Sequence, residues 1–562
     1  MTEYDVKIIL LIVAFLLVIV YVSFDSKKKH EKKVNQKLKK GWGKPPKRKI
    51  SADAYDNIKH YYEDSCKGKT VIDDITWNDL NMDGLFQLIN NTNSSVGQEY
   101  LYRMLRVPEM NLSQLKEIDR LCKYFTGHEK ERHQIQKEYV RLGFTRYISL
   151  SDYIGLVVDL KAGSNMIHYL SLVLLVASFA FCLLINPAIG IGLIVLAVAF
   201  SIITYYRFKA KVEQYFICIT QIVKLLNAAK RISAMNLPDL DAYNKEFEQL
   251  YHEFDNMTKR SYLLQSGNVN GSLAEVVLDY IRMLTHVDLI KFNHMVKLLN
   301  NKEKQIYRLI DQLGFIESTI AIASFRKMLP YWSVPDLRED RKASIEIREV
   351  YHPMIEHPVA NTITAGKHVL LTGSNASGKS TFLKTIAINA ILSQTIYTSI
   401  SKEYHAPFFR VYSSMSLRDD LGSSNSYYIV EIKALKRILD AVNLPGGPVL
   451  CFVDEVLRGT NTVERIAASS EILKSLKDKN VLCFAATHDI ELTAILEKYY
   501  DNYHFQEEVT DNDVKFNFRL FKGPATTRNA IKLLNIIGYD QRIIKAAEAQ
   551  AGYFIDNGIW KM

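Results

Sequence analysis

The sequence predicts an α/β domain in the C-terminal part of the chain, preceded by a mostly α-helical region that contains apolar segments. A strand–loop–helix pattern supports the α/β domain, because the apolar run at 367–371 leads through a loop rich in Gly and Ser into helical spacing at 382–387. Helical periodicity supports the region before it. Three uncharged or nearly uncharged runs are long enough to span a bilayer, at 8–24, 167–185 and 189–206.

The length of 562 residues is too great for one ordinary domain. Helical spacing extends from 75 to 143 and from 212 to 328, is interrupted at 266–271, and gives way to strand-like alternation after Pro330. These changes predict a transmembrane anchor at 1–25, a basic linker at 26–74, the first part of a helical core at 75–166, a transmembrane hairpin at 167–206, the second part of the core at 207–332 and the α/β domain at 333–562.

The formal net charge is +10, and Lys and Arg are concentrated between residues 25 and 50. Three interpretations of this basic linker stay open: contact with anionic lipid, contact with nucleic acid, or a solvated tether. The 6 cysteines are far apart and form no C-x-x-C pair. We therefore expect buried, reduced thiols rather than a zinc site or a disulfide framework, which suits a cytosolic main body.

The apolar run at 8–24 favours an N-terminal membrane anchor over a cleaved signal peptide. Glu3 and Asp5 precede the run, no small-x-small cleavage pattern ends it, and the basic cluster follows it. Positive charge on the C-terminal side predicts that this side stays in the cytoplasm. We therefore expect a multi-pass protein of the cytoplasmic membrane with the α/β domain in the cytoplasm.

The runs at 167–185 and 189–206 are separated only by Asn186, Pro187 and Ala188, which predicts a transmembrane helical hairpin. Basic residues lie before the pair at Lys161 and after it at 207–211, so both ends are expected in the cytoplasm. The alternative is a hairpin buried in the core of a soluble domain, which would have to accommodate an unusually long apolar stretch.

The loop of the strand–loop–helix pattern reads G-x-x-x-x-G-K-S and is the phosphate-binding P-loop pattern. Gly373 and Gly378 permit the backbone to point N–H groups at phosphate oxygens, and the following helix adds its positive N-terminal dipole. Lys379 is placed to reach the β- and γ-phosphates of ATP, and Ser380 to bind Mg²⁺. The expected nucleotide-binding residues are Gly373, Ser374, Asn375, Ala376, Ser377, Gly378, Lys379, Ser380 and Thr381.

Two further strands end in polar residues that suit ATP hydrolysis. The apolar run at 449–453 ends in Asp454 and Glu455, the Walker B pattern, in which Asp454 holds Mg²⁺ and Glu455 polarises the attacking water. The run beginning at Cys483 ends in His488, which is placed to sense or stabilise the γ-phosphate. Glu455, His488 and Lys379 are therefore the predicted catalytic residues.

The serine-rich stretch at 419–426 opens a predicted helix and would form an anion site with no obvious phosphate in its own subunit. In a head-to-tail pair of domains it would close on the partner's nucleotide.

Taken together, these stretches resemble the MutS-type ATPases of DNA mismatch repair. The similar stretches, in order, are His352-Pro353, Ala360-Asn361, T-G-S-N-A-S-G-K-S-T at 372–381, D-D-L-G-S-S-N-S at 419–426, Glu431, V-D-E-V-L-R-G-T at 453–460 and A-T-H-D-I-E-L-T at 486–493. The residues at 82–92, 97–105 and 311–324 resemble the family's helical core more weakly.

The resemblance implies an ABC/MutS-type fold, the cofactors ATP and Mg²⁺, and a homodimer with composite sites. It places the family's P-loop asparagine at Asn375, and at Ser426 the serine that contacts the partner subunit's γ-phosphate. It also makes double-stranded DNA an expected partner.

The sequence departs from the family pattern at its N-terminus, where a membrane anchor and basic linker are predicted in place of a mismatch-reading domain. Phe315-Ile316-Glu317 superficially resembles the family's Phe-x-Glu wedge, but its place in the helical core predicts packing. Two other functions stay open: a nucleotide-driven membrane scaffold that does not bind DNA, and a transporter-type ATPase. The transporter signature L-S-G-G-Q is missing from the sequence, which disfavours the second.

Overall fold

The computed structural model describes residues 25, 28–145, 148–158, 160, 163–258, 273–339, 342–374, 377–415, 427–457, 460–509, 514–525 and 530–560. The predicted anchor at 8–24 and the helix-interrupting stretch at 266–271 lie outside these residues. The described residues confirm a helical region followed by an α/β domain with a mixed sheet.

The chain divides into two compact units built from alternating segments. The helical unit comprises Met1–Lys67, Asn90–Arg103 and Leu121–Ser324, and the sheet unit comprises Gly68–Ile89, Met104–Arg120 and Phe325–Met562. The boundaries predicted from the sequence divide the chain into consecutive domains. They place residues 68–89 and 104–120 in the basic linker and the helical core, whereas the structure places both segments in the sheet unit.

Polar contacts within the sheet unit explain why these short segments belong to it. The Asp79 carboxylate accepts hydrogen bonds from Ser413 Oγ at 2.7 Å and from the Met415 N–H at 2.9 Å. The Arg326 guanidinium donates to the Asp119 carboxylate at 2.7 Å and to the Tyr397 carbonyl at 2.8 Å. Both contacts join residues far apart in the chain, and composition carries no signal for such pairings.

The helices before the α/β region follow one another with short connections. In chain order they are α1 (28–41), α2 (Ala52–Ser65), α3 (Asp74–Asp79), α4 (Met82–Ile89), α5 (Ser95–Arg106), α6 (Leu112–Gly127), α7 (Glu129–Leu142), α8 (Leu150–Val158), α9 (Met166–Leu184), α10 (Pro187–Ser233), the 3-10 turn Pro238–Leu240, α11 (Asp241–Glu253), α12 (Asp255–Thr258), α13 (Leu273–Thr285), α14 (Val287–Leu299) and α15 (Glu303–Met328).

The helical unit has one large apolar core, to which the C-terminal part of α10 contributes a buried stripe. Its members Ile222, Leu226, Ala229 and Ile232 recur at the three- and four-residue spacing that places side chains on one helix face. All four are at most 2% exposed, which confirms the helical periodicity expected for this stretch.

Helices α9 and α10 begin with the two apolar runs, and both are long and apolar enough to cross a membrane. Asn186 caps α10 by accepting hydrogen bonds from the N–H groups of Ala188 and Ile189, and Pro187 occupies the first turn, where it costs no hydrogen bond. Gly190 is required by the close approach of the helices, since a Cβ there would lie 2.3 Å from Cys182 Cα. Only 22% of each apolar window is buried, whereas a hairpin in the core of a soluble domain would be mostly buried.

The hairpin is tied to the rest of the helical unit by hydrogen bonds near its base. Ser201 Oγ donates to the carbonyls of Met283 and Leu284, at 3.1 and 3.0 Å, as alternative acceptors. The Tyr205 hydroxyl donates to the Asp288 carboxylate at 2.9 Å. The start of α10 is thus exposed and apolar, whereas its base and C-terminal part are fixed within the unit.

The basic linker contains two helices, α1 and α2, and is not a solvated tether over its central part. We call residues 37–48 the strap. Leu38 in the strap is buried, and Asn91 Nδ2 donates a hydrogen bond to the Gly41 carbonyl at 3.0 Å. The strap therefore packs on the helical unit.

Glu317 lies inside the helical unit, as the packing interpretation of Phe315-Ile316-Glu317 predicts. It is 1% exposed, and its carboxylate accepts hydrogen bonds from the Asn93 N–H and from Ser94 Oγ. Burial raises the pKa of Glu317 to about 7, against the opposing effect of these hydrogen bonds. A carboxyl group held in this way has no access to a DNA base.

The sheet unit continues with an α/β arrangement. Its strands are β1 (Asp336–Arg338), β2 (Ile345–Val350), β3 (Asn361–Ala365), β4 (His368–Thr372), β5 (Glu403–Pro407), β6 (Arg410–Ser414), β7 (Val449–Asp454), β8 (Val481–Ala486), β9 (Tyr500–Val509) and β10 (Val514–Lys522). Its later helices are α16 (Lys379–Thr395), α17 (Tyr427–Asn443), α18 (Thr462–Lys474), α19 (Glu491–Ile495), α20 (Ala530–Ile537) and α21 (Gln541–Asn557).

Six strands form the main sheet in the order β10-β9-β4-β8-β7-β6, with only the β10–β9 pair antiparallel. A second sheet has the order β1-β5-β2-β3. Strands β4, β7 and β8 read as continuous apolar runs and are almost wholly buried, as expected for parallel strands covered on both faces.

All six cysteines lie among the described residues and are free thiols, and all except the half-exposed Cys182 are buried. This confirms the expectation of buried thiols for five of the six, while Cys182 lies on the apolar helix α9 and is only partly buried.

Candidate nucleotide site

The register of the main sheet brings three strand ends together. Leu371 of β4 pairs with Ala486 of β8, which pairs in turn with Asp454 of β7. Because these strands are parallel, the segments that follow them emerge at the same sheet edge. The P-loop, the Asp454-Glu455 pair and the loop carrying His488 are therefore neighbours, although they are far apart in sequence.

Two glycines shape the loop after β4. Gly373 has φ 142°, and a Cβ there would lie 2.5 Å from the Phe505 carbonyl oxygen. Gly378 has φ 108° and immediately precedes α16. Both conformations favour glycine, as the sequence predicts for these two positions. Asn375 and Ala376 lie outside the described residues.

The loop presents groups that suit a phosphate. The Ser377 hydroxyl is buried and has no hydrogen-bond partner among the described residues. Lys379 is the first residue of α16 and is 4% exposed, and its ammonium donates to the carbonyls of Gly373 and Ser374 at 2.8 Å. A buried hydroxyl and a buried ammonium at a helix N-terminus favour a bound anion.

The three predicted catalytic side chains lie together. Lys379 Nζ is 3.5 Å from His488 Nε2, and the same imidazole nitrogen is 3.0 Å from Glu455 Oε1. Glu455 has φ 55°, in the left-handed region, and its N–H donates to the Ala486 carbonyl at 2.9 Å. The residue after Asp454 is thus held in an uncommon conformation that turns the chain at the sheet edge.

The loop carrying His488 is fixed by a neighbouring ion pair that sequence reasoning missed. Arg465 of α18 donates two hydrogen bonds to the Asp489 carboxylate, at 2.9 and 2.6 Å. The Asp489 N–H donates to Thr487 Oγ1 at 3.0 Å. This two-point contact restrains the residues on both sides of His488.

Two buried carboxylates complete the surroundings. Ser374 Oγ donates to Glu507 of β9 at 2.7 Å, and the Leu457 N–H donates to Glu431 of α17. Glu431 belongs to the stretches that resemble the MutS-type ATPases, whereas no local pattern marks Glu507. Glu507 reaches the loop only because β9 pairs with β4.

The predicted Mg²⁺ ligands Ser380 and Asp454 are both among the described residues. Ser380 is exposed on the first turn of α16, and Asp454 ends β7. The described residues contain no group of three or more His, Cys, Asp or Glu side chains arranged to hold a metal. A hydroxyl and one carboxylate still suit Mg²⁺, which usually takes further ligands from substrate phosphates and water.

A cavity of about 300 Å³ opens beside the start of α16, and the site prediction did not include it. Apolar and aromatic groups dominate its lining, including Ile355, Phe382, Phe505 and Phe518. His352 also lines it, and burial, assisted by nearby Lys384, lowers the pKa of this imidazole to about 4. A neutral, aromatic cavity next to a phosphate loop suits a nucleoside base.

The quoted His352-Pro353 and Ala360-Asn361 stretches were the signal for this cavity. Asn361 Nδ2 donates to the Phe518 carbonyl at 3.0 Å, and its Oδ1 accepts from the Leu520 N–H at 2.8 Å. Asn361 thus holds the backbone of the strand that carries Phe518. The predicted residue Ser426 lies outside the described residues, immediately before α17.

Residues 369–554 match the family model for MutS domain V. The C-terminal region of this chain belongs to the MutS family. The chain is 29% identical over 210 residues to the DNA mismatch repair protein MutS of Thermus aquaticus, a match covering 36% of this chain and 26% of that protein. It is 27% identical over 304 residues to MutS protein homolog 4 of Mus musculus, covering 50% of this chain and 30% of the relative.

A third relative is the DNA mismatch repair protein MutS 2 of Haloarcula marismortui, 29% identical over 180 residues, with 31% of this chain and 19% of that protein covered. The chain thus spans less than a third of the length of these MutS relatives. The MutS match includes β4, the P-loop, both polar strand ends and β9 with Glu507.

Proposed function

We propose that this chain is a membrane-anchored, Mg²⁺-dependent ATPase of the MutS type whose nucleotide state controls its binding to double-stranded DNA. One observation carries the ATPase proposal: His488 Nε2 lies 3.5 Å from Lys379 Nζ and 3.0 Å from Glu455 Oε1 at the sheet edge. Lys379 would neutralise the β- and γ-phosphates, and Glu455 would orient the attacking water. His488 lies between them and would contact the γ-phosphate, so that the presence of this phosphate affects both neighbours.

Mg²⁺ would be held by Ser380 and Asp454 and would neutralise charge on the phosphate oxygens. The nucleoside part would occupy the cavity beside α16, against Phe518 and Phe382. Ser377, with its buried hydroxyl, would supply a further donor to the phosphates.

The membrane proposal is supported by the α9–α10 hairpin. Its apolar windows are mostly exposed, and exposed apolar helices of this length need lipid or a partner to cover them. Arg207, Lys209 and Lys211 follow the apolar part of α10 and favour a cytoplasmic location for everything after it. The predicted anchor at 8–24 would add a third span.

The DNA-binding proposal rests on the relatives, two of which carry the name of DNA mismatch repair proteins, and the dimer proposal rests on the sequence resemblance at Ser426. We propose that Ser426 completes the partner's ATP site in a homodimer. Mixing Lys379→Ala and Ser426→Ala subunits should then restore activity, because both lesions fall on one composite site and leave the other intact. Mixed dimers without activity would contradict this arrangement.

Lys379→Ala tests the ATPase proposal most directly. We expect ATP turnover by the full-length protein to fall at least about a hundredfold, because the phosphates lose a buried positive charge. Lys367→Ala is the matched control, since this exposed lysine lies just before β4, at the opposite end of the strand from the loop. Normal turnover by Lys379→Ala would contradict the proposed site.

Binding of DNA duplexes by the Lys379→Ala and Lys367→Ala variants tests the DNA proposal. If binding comes from contacts of Lys and Arg with backbone phosphates, affinity should fall steeply with salt and differ less than about tenfold between matched and mismatched duplexes. A larger preference for the mismatch would show a reader element, and no duplex binding with intact ATPase activity would favour the membrane scaffold.

A further inference from the structure

A second cavity, of about 720 Å³, lies within the helical unit between the strap and two segments of the core. The core side is contributed by residues 90–93 and by residues of the 136–144 segment. Its volume is in the range of pockets that bind small molecules. It belongs to a different unit from the P-loop and plays no part in the ATPase proposal.

Contacts between protein groups hold the strap in place, without any contribution from a ligand in the cavity. The Gly43 N–H donates to Ser324 Oγ at 3.0 Å, and the Arg132 guanidinium lies 3.6 Å from the centre of the Trp42 ring. At the other end of the strap, the Arg48 guanidinium lies 3.6 Å from the centre of the Phe144 ring. The cations of the strap are therefore positioned by anchoring contacts on both sides of the cavity.

The charged side chains that line the cavity are all cationic. The strap contributes cationic side chains to the lining: Lys37, Lys40, Lys44, Lys47 and Arg48. No carboxylate is found among the described residues that line it. The four lysines are exposed, and together with Arg48 they give the cavity a positive potential that attracts a ligand with several negative charges.

One buried polar group in the lining lacks a partner. Gln136 of α7 is 5% exposed, and its Oε1 has no hydrogen-bond partner among the described residues. Neighbouring Asn90 and Thr92 have partners, since Thr92 Oγ1 donates to Asn90 Oδ1 at 2.6 Å and Asn90 Nδ2 donates to Gln98 Oε1 at 3.3 Å. A buried amide oxygen without a donor is unfavourable, so Gln136 selects a ligand that carries an N–H or O–H group.

The rest of the lining is apolar or aromatic and includes Leu38, Trp42, Val140 and Phe144. We propose that the strap cavity binds a phosphorylated organic molecule of about nucleotide size. Its phosphates would contact the lysines, its N–H or O–H group would meet Gln136, and its body would pack against Trp42 and Phe144. A free nucleotide and a phospholipid headgroup both have this chemistry.

The test uses the full-length protein in detergent with Lys379→Ala, so that the P-loop contributes no binding. The probes are mant-ATP for free nucleotides and dihexanoyl phosphatidylglycerol, below its micelle concentration, for headgroups. Trp42 lines the cavity, so its fluorescence should change saturably with at least one probe. Saturation by mant-ATP identifies a nucleotide-type ligand, and saturation by the lipid alone identifies a headgroup.

Substitutions in the strap separate a built site from general positive charge. Lys40→Ala with Lys44→Ala should weaken binding at least tenfold, and Gln136→Leu at least fivefold, whereas Lys40→Arg with Lys44→Arg should retain it. Lys39→Ala with Lys49→Ala is the matched control, because these strap-region lysines do not line the cavity. Thermal unfolding of each variant shows whether it remains folded.

Three results would overturn the proposal. The first is the absence of saturable binding by either probe. The second is an equal loss of affinity in the control pair and the Lys40, Lys44 pair. The third is binding of a DNA duplex alone that Gln136→Leu does not affect, because it would show a charged surface rather than a cavity. None of these results bears on ATP turnover at the P-loop, so the two proposals fail independently.

Discussion

The two compact units place their functional groups in different ways. In the sheet unit, the candidate site is built from short motifs that each follow a buried strand, and parallel pairing places those strand ends side by side. In the helical unit, the strap cavity is assembled from residues near 40, 90 and 140, and no sequence pattern predicts that these segments meet. Functional residues that lie in motifs at strand ends can be recognised in a sequence. Functional residues that are brought together by helix packing can be recognised only in the folded structure.

The largest effect is expected in the sheet unit, at Glu455. Glu455→Gln removes the carboxylate that would polarise water but keeps the shape of the side chain. ATP hydrolysis should fall about a hundredfold or more, while ATP affinity stays within about twofold. Single-turnover kinetics with equilibrium ATP binding measures both quantities. Hydrolysis at the normal rate would remove Glu455 from the mechanism and weaken the view that the strand-end motifs carry the chemistry.

The hairpin provides the corresponding test in the helical unit. Phe179 and Leu196 are 50% and 68% exposed, and an arginine at each would cost about 2.5–3.5 kcal/mol in the middle of a bilayer. We expect Phe179→Arg with Leu196→Arg to prevent insertion. A cysteine at Ile185, in a Cys182→Ser background, should react with an impermeant maleimide added outside intact cells, and the double arginine variant should abolish this labelling.

Val463→Arg is the control for that experiment, because Val463 is 79% exposed in the sheet unit and should not affect labelling. Equal labelling with and without the hairpin arginines would contradict a membrane-spanning hairpin.

Glu317 gives the helical unit a pH dependence. Its pKa is about 7 in the folded state against an ordinary 4.5, so the folded state binds more protons between these values. The free energy of unfolding therefore falls as pH rises from about 4.5 to 7, by about 3 kcal/mol at most. Glu317→Gln should remove this contribution. Denaturant-dependent hydrogen exchange of α15 at pH 5 and pH 8 measures it, and identical pH profiles for the two proteins would contradict it.

The smallest effect is expected at the cavity beside α16. Phe518→Ala removes an aromatic surface for the nucleoside base, and stacking of this kind contributes about 1 kcal/mol, so ATP affinity should fall about fivefold. Phe521→Ala on the same strand is the control, because Phe521 packs on His504 and does not line the cavity. Equal effects of the two substitutions would place the base elsewhere.

Particular residues show how far the sequence alone leads. The P-loop glycines, Lys379, Glu455 and His488 were predicted together, since each lies in or next to a motif and buried parallel strands bring the motifs to one edge. Glu507, Phe518 and the Arg465–Asp489 pair were not, because their positions depend on pairing of β9 and β10 and on packing of α18. The strap was visible as a run of charge, but the anchoring of Trp42 by Arg132 depends on tertiary structure.

Helix α10 has a mechanical consequence for the helical unit. It runs without interruption from the exposed apolar hairpin into the buried core, over 47 residues, or about 70 Å. A bilayer that changes in thickness alters the tilt of the helices within it. Because α10 has no break at which to bend, a tilt of about 10° would move its end near Ser233 sideways by about 7 Å, over the roughly 40 Å beyond the apolar part. Once inserted, the hairpin would therefore make the helical unit respond to the thickness and tension of its membrane.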